Sequence, residues 1–362
     1  MNGTHSLALD VNSAEGSRQG RFCIPDFYMP FPLKARNDLD EIAKHMWQWV
    51  RKFAIAENDS SRDILRYTRP DHWIAYLYPH APFDAAVLCS HLYAVTFRAD
   101  DHLDSGPAGR DPDTAGQAVS RLNAILGDGP VTPANPLEYA CADVWNRIAT
   151  QNRRTQWPRW PRWRDLFVKD IQAFFTAYET ETRHRATGYL PTLDEYLDHR
   201  TYSVGMPWAI DLVELSMTHP IPDDIEGTAF HLFRRAASLH IAMVNDIYSY
   251  RRENAAGYEH NAVTLVQHEQ GCSIQEAVGI VNDLATDYIK QFLEAESDLI
   301  AQSFDYPDPR QRLAIHEYLA ELRFMLSGNV RIHTIAERYQ SEGLPPAKGW
   351  PEYTRDLLGA DL

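Results

Sequence analysis

The sequence has no apolar run approaching the roughly 20 residues that a membrane-spanning helix needs, so no transmembrane helix is expected. A cationic surplus is missing as well: 35 Lys and Arg stand against 50 Asp and Glu, a formal net charge of −15. Nucleic-acid binding calls for a basic footprint, and its absence argues against nucleic acid as a main partner. The same acidity suits a protein that holds metal cations. Cysteine is scarce, and Cys23, Cys89, Cys141 and Cys272 form neither a CxxC pair nor a dense framework. That spacing fits core-packing thiols in a reduced, cytoplasmic protein better than a disulfide scaffold. The opening MNGTHSLALDVNSAEGSRQG lacks a basic start followed by a long apolar segment and a cleavage site. Residues 1–21 therefore read as a mobile tail, and residues 22–362 as one folded domain.

Convincing alternating strand patterns are absent too, and helical periodicity takes their place. It predicts helices over about 38–55, 84–104, 113–126, 135–152, 161–186, 192–217, 223–253, 273–301 and 308–339. Breakers such as SGPAGRDPD, GDGPVTPANP, THPIPDD and SEGLPP fall between them, none long enough to be a domain linker. The fold class expected is all-α. WPRWPRWRD, Trp157 to Asp165, reads as a proline-punctuated loop entering a helix, its tryptophans folded onto the core. Its alternating cations and aromatics also suit a ligand surface.

FRADDHLDSG hangs Asp100, Asp101 and Asp104 on the end of an apolar helix, where the dipole disfavours carboxylates. Spacings of three and four put them on one face. A hard divalent cation such as Mg²⁺ offsets their repulsion and keeps coordination sites for water and phosphate; a solvated helix end would show the same letters. VNDIYSYRRE adds Asn245, Ser249 and Glu253 at intervals of four, one stripe of oxygen donors about 12 Å long. Two oxygen-donor sets without a dense His or Cys pattern favour Mg²⁺ over zinc. Arg200, Arg252 and the pair Arg338–Tyr339 add the forked donors that a diphosphate requires. Pro207, inside the helical pattern around Arg200, predicts a break near Ser203, Val204 and Gly205.

These residues together resemble class I terpene synthases, specifically the microbial single-domain terpene cyclases. DDHLD looks like their aspartate-rich motif, and NDIYSYRRE matches NDxxSxxxE with a basic residue just before the glutamate. Arg200, 45 positions before Asn245, looks like their diphosphate-sensing arginine, and Arg338–Tyr339 like their C-terminal pair. FCIPDFYMPFP, Phe22 to Pro32, looks like the start of their folded domain, so the resemblance runs from about residue 22 to 340. It implies a helical bundle around a deep central pocket, three Mg²⁺ ions and a prenyl diphosphate substrate. A homodimer is common in that family.

By the same resemblance Asp100 is the principal ligand, Asp101 belongs to the metal set or pairs with a diphosphate-contacting arginine, and Asp104 is a further candidate. Asn245, Ser249 and Glu253 hold the remaining metal. Arg200, Arg252, Arg338 and Tyr339 contact diphosphate, and the break at Val204 assists ionisation. An apolar, aromatic cavity must shield the resulting carbocation, with Tyr93, Phe97 and Trp208 as expected liners. Ile332 stands where family members often carry tryptophan, six residues before the arginine–tyrosine pair, and is expected in the pocket wall. Farnesyl diphosphate is the expected substrate, with geranylgeranyl diphosphate as the alternative. A chain-elongating synthase would show a second DDxxD, and a di-iron bundle paired ExxH motifs, of which only ETRH fits. A non-catalytic helical adaptor would explain the acidic helices without Mg²⁺ but leave the co-occurrence of Arg200, the Pro207 break and Arg338–Tyr339 to chance.

Overall fold

The computed structural model describes residues 22–105, 109, 111–255 and 257–339, without the side chains of Ser60, Asp104 and Ser105. The expected tail, 1–21, and the end of the expected domain, 340–362, lie outside the described residues. Among the described residues there are helices and no strands. In chain order they are α1 (Leu39–Lys52), α2 (Asp59–Thr68), α3 (Pro70–Leu77), α4 (Phe83–Asp100), α5 (Pro112–Leu126), α6 (Pro136–Asn146) and α7 (Trp160–Thr187). Then follow α8 (Leu193–Ser203), α9 (Met206–Asp211), α10 (Thr228–Ala255), α11 (Ala262–Gln270), α12 (Ile274–Ser303) and α13 (Pro309–Ile335).

The long helices start where side chains satisfy their free N–H groups. Thr192 with Glu195 and Ser273 with Glu276 form reciprocal caps on α8 and α12. α4 and α10 are apolar nearly all round on their buried lengths, which places both inside the bundle. α10 packs mainly on α12, with Phe233 stacked on Phe292 at 4.2 Å. Burying one such side chain contributes about 2–3 kcal/mol. α3 crosses α13 where a Cβ on Gly328 would overlap the Tyr76 carbonyl, so only glycine permits that approach. The segment from Phe22 to Pro32 lies across α10, α12 and α13. Phe22 meets Tyr250, Phe27 stacks on Tyr248, Phe31 meets Phe292, and Ser327 donates to the Pro32 carbonyl at 2.9 Å.

Several expectations change. α2, α3 and α11 lie outside the helices expected from sequence. The expected helix over 192–217 is three pieces, ending in a 3-10 turn at Leu212–Ser216. The break expected near Ser203, Val204 and Gly205 is present: α8 ends at Ser203, and Pro207 sits in the first turn of α9, where its missing N–H costs nothing. Cys89 and Cys141 are buried as expected, but Cys23 is exposed on the crossing segment, so packing does not account for it. Trp160 and Trp163 are buried and stacked at 4.6 Å, so WPRWPRWRD is a helix entry packed on the core.

Candidate active site

α4, α7, α8, α9, α10 and the turn Glu337–Tyr339 surround a cavity of about 950 Å³, its open mouth included. Its wall is aromatic. Trp73 on α3, Tyr93 and Phe97 on α4, Phe174 on α7 and Trp208 on α9 follow one another with ring centroids 5.1–5.8 Å apart along the chain Trp73–Phe97–Tyr93–Trp208–Phe174. Met206 and Ile241 complete the apolar surface. Tyr93, Phe97 and Trp208, named from sequence, are among the residues lining the cavity. Ile332 is not: it is fully buried in the core, because the wall side of α13 at this level is the next residue, His333. Sequence reasoning also missed Phe174, Tyr178 and Glu181, whose spacing of four and three marks one face of α7.

Polar groups gather among the same lining. Asp100 accepts from Tyr178 Oη at 2.7 Å and from Arg338 at 3.0 Å. α4 then widens into a π-helical turn, Asp101–Ser105, a distortion frequent at functional sites. Asp101 is buried between Arg98, at 3.0 Å, and Arg338, at 3.4 Å, so its carboxylate turns to arginines and not to the cavity. Burial pushes that carboxyl above its ordinary value in spite of Arg338 and Arg98. The side chain of Asp104 lies outside the described residues.

Across the cavity, α10 presents Asn245, Arg252 and Glu253. Arg200 reaches Asn245 Oδ1 at 2.7 Å and Asp246 Oδ1 at 2.8 Å. Asp246, the other letter of the ND pair, is the anchor that sequence reasoning overlooked. Its second oxygen accepts from Tyr196 and from the Ala262 N–H that opens α11. Glu253 accepts from Arg252 at 3.0 Å and from Asn261 at 2.9 Å. Tyr339 Oη accepts from Asn245 Nδ2 at 3.1 Å. Glu181 receives His199 and Tyr258, at 2.8 and 2.5 Å; burial pushes its carboxyl up, but these two partners hold it well below the usual range.

The α8–α9 break enters the same wall. Ser203, Val204 and Gly205 line the cavity, and Gly205 takes φ +75°, the left-handed region. A Cβ there would fall 3.0 Å from Trp208 Nε1 and 3.2 Å from the Phe174 ring.

Among the described residues no three His, Cys, Asp or Glu side chains gather as a metal cluster. The donor set in the lining is of another kind: the Asp100 carboxylate on α4, and the Asn245 amide and Glu253 carboxylate on α10, while Ser249, between those two on α10, is buried and does not line the cavity. On the same stretch of α10 two buried polar atoms lack hydrogen-bond partners, Ser249 Oγ and Arg252 Nε. An orphaned hydroxyl one turn from Asn245 and Glu253, and an orphaned guanidinium N–H beside it, fit a hard cation accompanied by an anion.

Residues 91–291 match the family described as "Terpene synthase family 2, C-terminal metal binding". The chain is 36% identical over 328 residues to (2Z,6E)-hedycaryol synthase of Kitasatospora setae, covering 90% of this chain and 95% of that protein. It is 28% identical over 313 residues to (+)-T-muurolol synthase ((2E,6E)-farnesyl diphosphate cyclizing) of Roseiflexus castenholzii, covering 86% and 92%. A solved structure of hedycaryol synthase in complex with nerolidol superposes with a TM-score of 0.74 at 34% identity, covering 86% of this chain and 99% of that one.

Proposed function

This chain belongs to terpene synthase family 2, whose members bind metal, and from that premise we propose that it ionises farnesyl diphosphate with Mg²⁺ and cyclises the cation to a sesquiterpene hydrocarbon or alcohol. The observation that carries the reading is one cavity with opposed oxygen donors and arginines in its lining and a continuous aromatic wall beside them. A relative named for cyclising farnesyl diphosphate, and one solved with nerolidol, the tertiary alcohol of the farnesyl chain, support that chain length. Residues 22–362 act as a single catalytic domain in this reading.

Asp100 on one side, with Asp104 as a further candidate, and Asn245, Ser249 and Glu253 on the other are the residues that hold Mg²⁺, three ions in all. When bound, Mg²⁺ places positive charge against the leaving diphosphate. Arg200, Arg252, Arg338 and Tyr339 donate hydrogen bonds to the diphosphate oxygens as the allylic C–O bond breaks, so charge is stabilised where it develops. For Arg338 this requires leaving Asp100, its ion-pair partner. Asp101 then remains as the buried counter-charge that holds Arg338 in reach.

The cation left behind lies against Trp73, Tyr93, Phe97, Phe174 and Trp208, whose ring faces attract positive charge. The C-terminal end of α8 at Val204 brings the negative end of its dipole to the same wall. A dry interior keeps water from ending the reaction early. Incubation of the protein with geranyl, farnesyl and geranylgeranyl diphosphates, with and without Mg²⁺, followed by gas chromatography and mass spectrometry, tests the proposal. A sesquiterpene from the farnesyl substrate, dependent on Mg²⁺, is expected. A diterpene alone would reassign the chain length, and no terpene from any of the three would refute cyclisation.

A further inference from the structure

Asn245 can present either end of its amide to the cavity, and only the oxygen is useful to a cation. Its surroundings decide which end. His333, fully buried on α13, faces Asn245 across the cavity lining: Nε2 lies 3.1 Å from Asn245 Nδ2. The other ring nitrogen, Nδ1, lies 2.8 Å from the Asn329 carbonyl. A carbonyl only accepts, so Nδ1 carries the proton and Nε2 is the lone pair in the neutral ring. A lone pair on Nε2 demands an N–H from Asn245, and Tyr339 Oη takes the other amide hydrogen at 3.1 Å. Asn245 Oδ1 is thereby turned to Arg200, 2.7 Å away.

The imidazole itself cannot swing. It is held between Tyr339, Trp73 and Tyr248 with centroids at 4.4, 5.4 and 5.5 Å, and Phe27 covers Tyr248 from outside at 5.9 Å.

We propose that His333 is the positioning residue of the α10 metal site: through Nε2 it fixes the amide of Asn245 so that Oδ1, and never the amide nitrogen, faces the cation. The chain Asn329 carbonyl, His333, Asn245, Arg200 also couples the metal donor to the arginine beside it, so one rotamer serves both. The proposal rests on reading Asn245 as a metal ligand, and the test separates the two.

The probe is Mg²⁺ with inorganic diphosphate, read as the rise in melting temperature of the protein, alongside the Mg²⁺ concentration that gives half-maximal terpene formation. Wild type should be stabilised by the pair and Asn245→Ala should not; absence of that difference would overturn the ligand reading and this proposal with it. His333→Phe keeps the ring packing but offers no acceptor. Its melting temperature without additives should stay close to wild type, while the Mg²⁺ requirement rises about 10-fold, the usual scale for losing a group that orients a metal ligand. The rise in melting temperature with Mg²⁺ and diphosphate should shrink in parallel.

His333→Gln places an amide oxygen near the position of Nε2 and should restore most of both readouts. Wild-type Mg²⁺ dependence in His333→Phe would refute the positioning role. So would a His333→Gln variant as impaired as His333→Phe, since shape alone would then account for the residue. Should His333→Phe not fold, His333→Gln still decides: retained Mg²⁺ dependence supports the acceptor role, and a raised requirement in a normally folded variant overturns it.

Discussion

Asp100 and Asp101 are chain neighbours with opposite environments, and substitution should separate them. Asp100 is a quarter exposed at the cavity and accepts hydrogen bonds from Tyr178 and Arg338. Removing its charge should leave the fold intact and lower product formation by about 100-fold, the scale for losing one group that stabilises developing charge. Asp100→Asn checked by circular dichroism and product yield tests this, and full activity would remove Asp100 from the site. Asp101 has 2% of its side chain exposed and lies between two arginines. Asp101→Asn strands Arg98, itself buried, without a counter-charge, which costs about 3–5 kcal/mol. The urea midpoint of Asp101→Asn should therefore fall well below that of Asp100→Asn; equal midpoints would contradict the assignment.

The α8–α9 break shows how an element boundary becomes a wall. Gly205→Ala must strain a backbone at φ +75°, at about 1–2 kcal/mol, and push a methyl against Trp208 and Phe174. We expect a lower melting temperature together with an altered product ratio from farnesyl diphosphate, because the displaced rings shape the cavity. An unchanged product profile at lowered stability would mean that the break is only structural. This boundary was legible in the sequence because Gly205 and Pro207 act locally. The short helices α2, α3 and α11 were not legible, since such lengths are marginal alone and are stabilised by packing. Trp73 was lost with α3. Ile332 was misplaced by one residue for a related reason: which side of α13 meets the cavity is set by how it crosses α3 at Gly328, and sequence does not carry crossing geometry. The metal motifs are read without such geometry, because carboxylate, amide and hydroxyl spacing within one helix needs no knowledge of neighbours.

Across the whole molecule, burial of ionisable groups ties stability to pH. His91, His240, His260 and His333 are each buried, and burial pushes His91 down to about 3 and the others to about 4. In the unfolded chain each titrates near 6.5, so below that pH the unfolded state binds protons that the folded state refuses. Stability is thus fully present above about pH 6.5 and lost progressively as pH falls toward about 4, at up to about 1.4 kcal/mol per pH unit for each histidine. Glu181, held below its ordinary range, acts in the same direction at lower pH. With a total stability on the order of 5–15 kcal/mol, four such groups suffice to unfold the protein in mild acid. Urea titrations at pH 7, 6 and 5 should show a falling unfolding free energy. His240 offers the cleanest control, because it does not line the cavity and its Nδ1 only meets the Ala285 carbonyl at 3.1 Å. Asn can keep that contact, and His240→Asn should make the slope between pH 6 and 5 shallower by about 1.4 kcal/mol per unit. An identical slope in wild type and variant would show that the acid sensitivity comes from other groups.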